Sequence, residues 1–554
     1  IVGIFLQDVV PHPAGFGELS GGRRIKGVNM SLFARQYATP PCSGRAQFET
    51  DAGMGRPHTT KEAQATREAI THRKIGIDFR CFQQKADRLS REQHVVVHCR
   101  IERIRGLRQR RGEFQSKLID CHISSLGSSF PTAFQPATRT YMIRGLREAV
   151  RKDIMPHLPL EGVRVLDLSR IIAGPNCTMQ LGDLGAEIIK VEVPESGDDS
   201  RRMKPPEIGG EGHFYLAFNR NKKSIAIDMK SDAGRDLVLK LAAKSDVFVE
   251  NFRPGVARRL GVGYDTLREL NPSLVYCSVS AYGQEGGMSE RPGLDPVFQA
   301  EMGLMSLCGE IEGSPMRHPL SIIDLFTSLY ASTAVCAAIA DQKATGQGRH
   351  IDVSLMGGAI SVLGNAAQYY FTSGEAPPRM GNNFPTVVPV GAFAGSDGGL
   401  FYLACGTQRL YENLVVKALD RPDLAEDLRF AAMGDRVKHR DIFMPLLETI
   451  FVEQPRDHWV EKLRAAGVPC GPVRSLPEAL NSPEVLEAGL VQTMAHPTAG
   501  ELKTLRSPIG LSDRPTRDDT PPPLLGEHTD EILREVLDVD AAGIAELRAQ
   551  KVVS

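Results

Sequence analysis

One carboxylate stands in a run that is otherwise apolar or hydroxyl-bearing: Asp324, within PLSIIDLFTSLYAS (Pro319–Ser332). Two chemistries suit an aspartate in that position. Ionised and fixed beside an apolar surface, it is a nucleophile able to attack an activated acyl carbon. Alternatively, its oxygen caps the helix of small residues that follows, about 325–343, and satisfies free N–H groups there. The positive end of that helix favours the anion in either case, and spacing alone leaves both readings open. His94 and His98 in HVVVHC have i, i+4 spacing beside Cys99. Val95–Val97 favour a strand, which breaks that spacing, and a zincin Glu is missing, so no metal site is assigned. GVGYDT at Gly261 begins G-x-G but carries Thr266 in the third glycine's place and follows a helix rather than a strand. With no Walker loop and no G-x-S-x-G elbow either, nicotinamide, ATP and serine-hydrolase chemistry have no support.

The elements around Asp324 alternate. GVRVLDLS, EIIKVEV, KSIAIDMK, DVFVENF and LVYCSVSAYG are short β-branched runs. Between them lie helical stretches: NCTMQLGDLG with Pro175 near its first turn, AGRDLVLKLAAKS capped by Ser231 and Asp232, and GVARRLG…LREL. Strands and helices in this alternation predict βαβ units around a parallel sheet, an α/β fold. Further on, TGQGRHIDVSL reads as a turn and strand, and MGGAISVLGNAAQYYF as one helix. TSGEAPPRMGNNFPTVVP breaks the pattern, and GAFAGSDGGLFYLAC is a hairpin turning at Ser396–Gly399. The helices that follow make a second, smaller α+β domain.

The chain has 554 residues, too many for one ordinary domain. Its net charge of −1 conceals an asymmetry: residues 1–150 carry 24 Lys and Arg against 13 Asp and Glu, and the remainder 42 against 54. Residues 1–154 lack periodicity and any nucleic-acid-binding module, and Met155 reads as a natural start, so a disordered or non-native basic extension is expected there. The ten cysteines form no Cys-x-x-Cys pair and several lie in apolar runs, which suits reduced thiols. IVGIFLQDVVPHP has no basic segment ahead of its apolar residues, and 320–340 contains Asp324 and several hydroxyls. A cytoplasmic protein without membrane spans or nucleic-acid partners is the expectation.

LEGVRVLDLSRIIAGPNCTMQLGDLGAEIIKVEVPESGDDSR is similar to the opening of class III CoA-transferases. NRNKKSIAIDMKS, VENFRPGVARRLG, TGQGRHIDVSLM, GVPCGPV and PLLGEHTDEIL resemble further phrases of that family, in its order, over about residues 156–552. The resemblance implies a Rossmann-like large domain at 155–375 that binds CoA, a small domain at 376–480 and a segment at 481–554 that returns to the large domain. It also implies an interlocked homodimer. It makes Asp324 the nucleophile, which takes the acyl group of an acyl-CoA donor as an anhydride and then CoA as a thioester. A carboxylic acid acceptor then removes the CoA, with no metal involved. By position, Ile171, Ile172 and Ala173 line the CoA site, Arg201 and Arg259 meet CoA phosphates, Lys230 and Ile227 lie on the adenine side, and Asn251 and Phe252 touch pantetheine or adenine. Two departures narrow the activity. Leu294 stands where racemases of this fold carry a proton-transferring His, with Asp295 after it. APPRMGNNFPTVVPV lacks the consecutive glycines of formyl-CoA transferase. Succinyl-CoA is the donor the family suggests, with a racemase or a non-catalytic CoA-binding protein as alternatives.

Overall fold

A computed structural model describes residues 158–511 and 519–554; the basic extension and the His94–Cys99 cluster lie outside them. Six parallel strands form the main sheet: β1 (Arg164–Asp167), β2 (Glu187–Glu192), β3 (Lys222–Ala226), β4 (Val247–Glu250), β5 (Val275–Ser280) and β6 (His350–Ser354). Their spatial order is β3-β2-β1-β4-β5-β6, with every neighbouring pair parallel. The chain winds outward from β1 to β3 and then crosses back to β4, so β1 and β4 flank a topological switch point. In open α/β sheets the crevice at the carboxyl ends of such strands binds ligands.

Helices cover both faces because successive strand residues point to opposite sides. Val165 on β1 packs in one core with Cys177 and Leu181 of α1 (Ala173–Asp183), and with residues of three later helices. Leu166, its neighbour, packs in the other core with α2 (Asp232–Ala243) and α3 (Tyr264–Leu270). The Ser231 hydroxyl accepts from the Gly234 N–H and caps α2, as its sequence suggested. The expected helix across GVARRLG…LREL is in fact two. Gly261 takes φ +75°, and the N–H groups of Gly261 and Val262 fold back onto Arg258 and Ala257, which ends the first piece.

Three helices complete the first face: α4 (Asp295–Glu301), the 24-residue α5 (Ile322–Thr345) and α6 (Leu355–Val362). By length and composition α5 could cross a membrane, but here Ile323, Ala331, Val335 and Ile339 are buried against the sheet. The helix expected across MGGAISVLGNAAQYYF breaks at Gly364 (φ +44°), and α7 (Gly364–Ser373) follows.

A three-stranded antiparallel sheet, β7 (Val390–Ala394), β8 (Leu400–Ala404) and β9 (Cys470–Pro472), has its own aromatic core of Phe393, Phe401, Phe451 and Trp459. Beyond β10 (Val491–His496) and β11 (Gly500–Leu505), the chain returns to the large sheet. Helices α8 (Thr529–Glu535) and α9 (Ala541–Ala549) pack on the second core, and Val553 bridges antiparallel to Ile227.

Candidate active site

The loop leaving β1 carries Ile171, Ile172 and Ala173. Asn251, just past β4, clamps it by accepting the Arg170 N–H at 2.8 Å and donating to the Arg170 carbonyl at 2.8 Å. Both flanks of the switch point are thereby tied together. Ile171 has φ +73°, a left-handed conformation that a β-branched residue adopts only under constraint. The constraint is Asp198, which accepts the Ile171 N–H at 3.1 Å and is itself ion-paired with Lys190 at 2.8 Å. Burial pushes the Asp198 carboxyl up, but Lys190 and the Ser200 N–H and hydroxyl outweigh it and hold the group well below the usual carboxylate range. Lys190 also donates to the Ser169 carbonyl at 2.8 Å, so the loop rests on a fixed buried ion pair. The Arg170 guanidinium lies 5.8 Å from the Phe252 ring centroid.

The position of Asp324 relative to this loop follows from two contacts between α1 and α5. Asn176 Nδ2 donates to Ser328 Oγ at 2.6 Å, and one turn on, Ser332 Oγ donates to Gln180 Oε1 at 3.0 Å. Both pairs are separated by 152 residues, so the two helices run parallel in register. Carried back one turn, the same register sets Ile172 opposite Asp324. The first turn of α5 and the loop leaving β1 are therefore adjacent, although 152 residues separate them.

Asp324 differs in detail from the sequence expectation. It does not precede α5 but occupies its first turn, and it is not the cap: Ser321 holds the N-cap position without a side-chain cap hydrogen bond. The N–H groups of Ile323 and Asp324 go instead to Asp295 Oδ2, at 2.7 and 3.3 Å. The helix end that was to keep Asp324 charged is already occupied by another carboxylate. Asp324 itself is half-buried, and no described residue hydrogen-bonds its side chain. Burial, and secondarily the Asp295 charge, push its carboxyl up to about 7. A carboxylate that ionises near neutrality, and is more basic for it, suits a nucleophile.

The remaining sequence-assigned residues divide. Asn251 and Phe252 are half-buried beside the loop, and Lys230 and Arg259 are exposed beyond the carboxyl ends of β3 and β4. Arg201, which the resemblance sets at a CoA phosphate, is enclosed. It is 6% exposed, and Glu192 grips it in a two-point pair at 2.8 and 2.7 Å. Glu211 holds Nη1 at 2.7 Å, and the Tyr215 ring stacks 3.6 Å away. The charge of this guanidinium is met within the fold by two carboxylates. Ile227, which the resemblance sets on the adenine side, is 1% exposed, and its side chain belongs to the second core, under the returning C-terminal segment. Leu294, 61% exposed, is the N-cap residue of α4 and carries no proton. Sequence reasoning gave Asp295 and Asp198 no role. Asp295 before a Pro signalled a helix start, but nothing local shows that its carboxylate serves a helix 28 residues away.

A Rossmann-order sheet, with a loop clamped at its switch point and a carboxylate beside that loop, sets the chain among the α/β proteins that bind ligands at the carboxyl ends of their strands. Comparison with known proteins gives the class its name. Residues 160–529 match CoA-transferase family III, and the chain belongs to that family. It is 40% identical over 395 residues to the succinyl-CoA:glutarate CoA-transferase of Homo sapiens, covering 71% of this chain and 90% of that protein. It is 35% identical to the succinate–glutarate CoA-transferase of Agrobacterium fabrum, over 68% and 96% of the two chains. A solved CAIB/BAIF family protein from Brucella suis superposes with a TM-score of 0.62 at 36% identity, covering 69% of this chain and all of that one.

Proposed function

We propose that this chain transfers CoA from succinyl-CoA to a dicarboxylate acceptor of the glutarate type, with Asp324 as the covalent carrier. The observation that carries the reading is the α1–α5 register, which sets the nucleophile opposite Ile172 of the loop at the switch point. Asp324 attacks the thioester carbonyl; the C–S bond breaks and its electron pair leaves on sulfur. The thiolate then attacks Cγ of the aspartyl anhydride, releasing the donor acid. The acceptor carboxylate displaces CoA in turn, and return of the thiolate to the acceptor's acyl carbon regenerates Asp324. No proton is gained or lost over the cycle, so no second acid–base residue is required, which fits a leucine at position 294.

Ile171–Ala173, Asn251 and Phe252 line the pantetheine arm in this reading, and the exposed Lys230 and Arg259 face the phosphate and adenine end. Exposed apolar residues on α5 and α7, including Leu329, Tyr330, Tyr370 and Phe371, support the homodimer expected of the family. The six cysteines among the described residues are all free, two of them in the sheet core, which supports a reducing compartment such as the cytoplasm. The test is a panel of acids offered with succinyl-CoA and acetyl-CoA as donors. Alongside it, hydroxylamine trapping after single turnover should place a hydroxamate on Asp324, located by mass spectrometry. Asp324→Asn should lose transfer by several orders of magnitude while retaining CoA binding. Full turnover by that variant, or a hydroxamate elsewhere, would overturn the assignment.

A further inference from the structure

Asp295 sits at the start of α4, directly after Leu294. Its Oδ2 accepts the Ile323 and Asp324 N–H groups, and its Oδ1 accepts Gln299 Nε2 at 2.6 Å. The Gln299 amide has only one workable orientation. Its Oε1 accepts the His318 N–H at 2.8 Å, and its Nε2 also faces the His318 and Leu320 carbonyls at 3.3 Å. A flip would set oxygen against two carbonyls and a carboxylate. Every group reaching Asp295 is thus an N–H donor, which an acceptor-only carboxylate satisfies and a protonated acid does not. Asp295 is 3% exposed, and no cation among the described residues pairs with it. It is a dry, fixed anion one hydrogen bond from the nucleophile's own backbone.

Resting on the reading of Asp324 as nucleophile, we propose that Asp295 is a positioning residue for CoA transfer. It pins the peptide N–H of the nucleophile and sets a second carboxylate beside one that surrenders its own charge on acylation. When an Asp324 oxygen bonds to the acyl carbon and the C–S bond breaks, the negative charge moves from Asp324 to the departing sulfur. The anhydride and the aspartyl thioester are both neutral at this position. Repulsion from Asp295 therefore raises the free carboxylate but neither covalent state, and each entry into a covalent state relieves it. Little else nearby carries charge. The facing residues of α1 are the neutral Asn176 and Gln180, and α6 has no titratable side chain. On α4, Glu301 turns to Arg291 and Tyr282, and the segment entering α5 adds Arg317 and His318.

The test compares wild type, Asp295→Asn and Asp295→Glu by the pH dependence of hydroxylamine trapping at Asp324 in a single turnover with succinyl-CoA. Wild type should show an ionisation limb near neutrality. Asp295→Asn should move that limb down by about one pH unit and slow the plateau about tenfold, whereas Asp295→Glu, which restores the charge, should leave the limb in place. A limb unmoved in Asp295→Asn, with only the melting temperature lowered, reduces Asp295 to a structural cap and overturns the proposal. If Asp295→Asn does not fold, wild type and Asp295→Glu still decide: a wild-type limb in the ordinary carboxylate range, or one displaced in Asp295→Glu, refutes it. Absence of any hydroxamate on Asp324 in wild type is a separate failure, which removes the nucleophile and this role of Asp295 together.

Discussion

Replacing the nucleophile should make the protein more stable, and by an amount that depends on pH. The Asp324 carboxyl rises from the ordinary 3.8 to about 7, by burial first and the Asp295 charge second. For an acid raised in the folded state, the folded chain holds a proton between about pH 4 and 7 that the unfolded chain has released. Stability therefore falls as pH rises through that window, and the full penalty applies above it. At about 1.36 kcal/mol per pH unit, the rise corresponds to about 4 kcal/mol. The side chain is half-buried and water screens part of the charge, so the expected penalty is about 2 kcal/mol. Asp324→Asn keeps the shape, does not titrate, and forfeits no hydrogen bond, since no described residue bonds the carboxylate. It also leaves the helix cap on Asp295 untouched. Urea midpoints for wild type and Asp324→Asn, at matched protein concentration and ionic strength from pH 5 to 8, should diverge with pH, the inactive variant being more stable at pH 8. The divergence should flatten above about pH 7.5. A gap independent of pH, or a wild type that is the more stable at pH 8, would refute the reasoning and restore the helix end as the stabiliser of the Asp324 anion.

Asn251→Ala removes both hydrogen bonds to the Arg170 backbone, and should raise KM for the CoA ester about tenfold or more with a smaller effect on kcat. Arg201→Ala leaves Glu192 buried without its partner, and should cost about 3–5 kcal/mol of stability, read as a lowered urea midpoint. If Arg201 were instead a surface contact to phosphate, the same variant would change KM and leave the midpoint alone. A Cβ at Gly358 would lie 2.3 Å from Thr327 Oγ1, one turn past Asp324. Gly358→Ala should therefore push α6 off α5, costing about 1–3 kcal/mol and lowering kcat.

Much of this site could be read from the chain, within definite limits. Asp324 was visible because a carboxylate in an apolar run has few reasons to be there, and the strands because β-branched runs recur between helices. What could not be read was who answers whom. Capping rules operate within three residues, whereas Asp295 reaches α5 from 28 residues upstream through a tertiary contact. Arg201 resembled a phosphate contact by its place in GDDSR, and nothing local showed that Glu192, Glu211 and Tyr215 enclose it. Ile227 follows β3, and nothing local showed that Val553 pairs with it from the far end of the chain.

The two hydroxyl contacts that register α1 against α5 also carry a consequence in time. The site exists only once residues 152 positions apart have met, which requires β2 to β5 to be threaded between them. Non-local parallel pairing of this kind is among the slower events in folding. Helical signal should therefore return early in a refolding chain, while the capacity to form the aspartyl intermediate returns only with the last tertiary step. Recovery of activity then serves as a clock for the docking of α5 on α1, a step that helix content does not report.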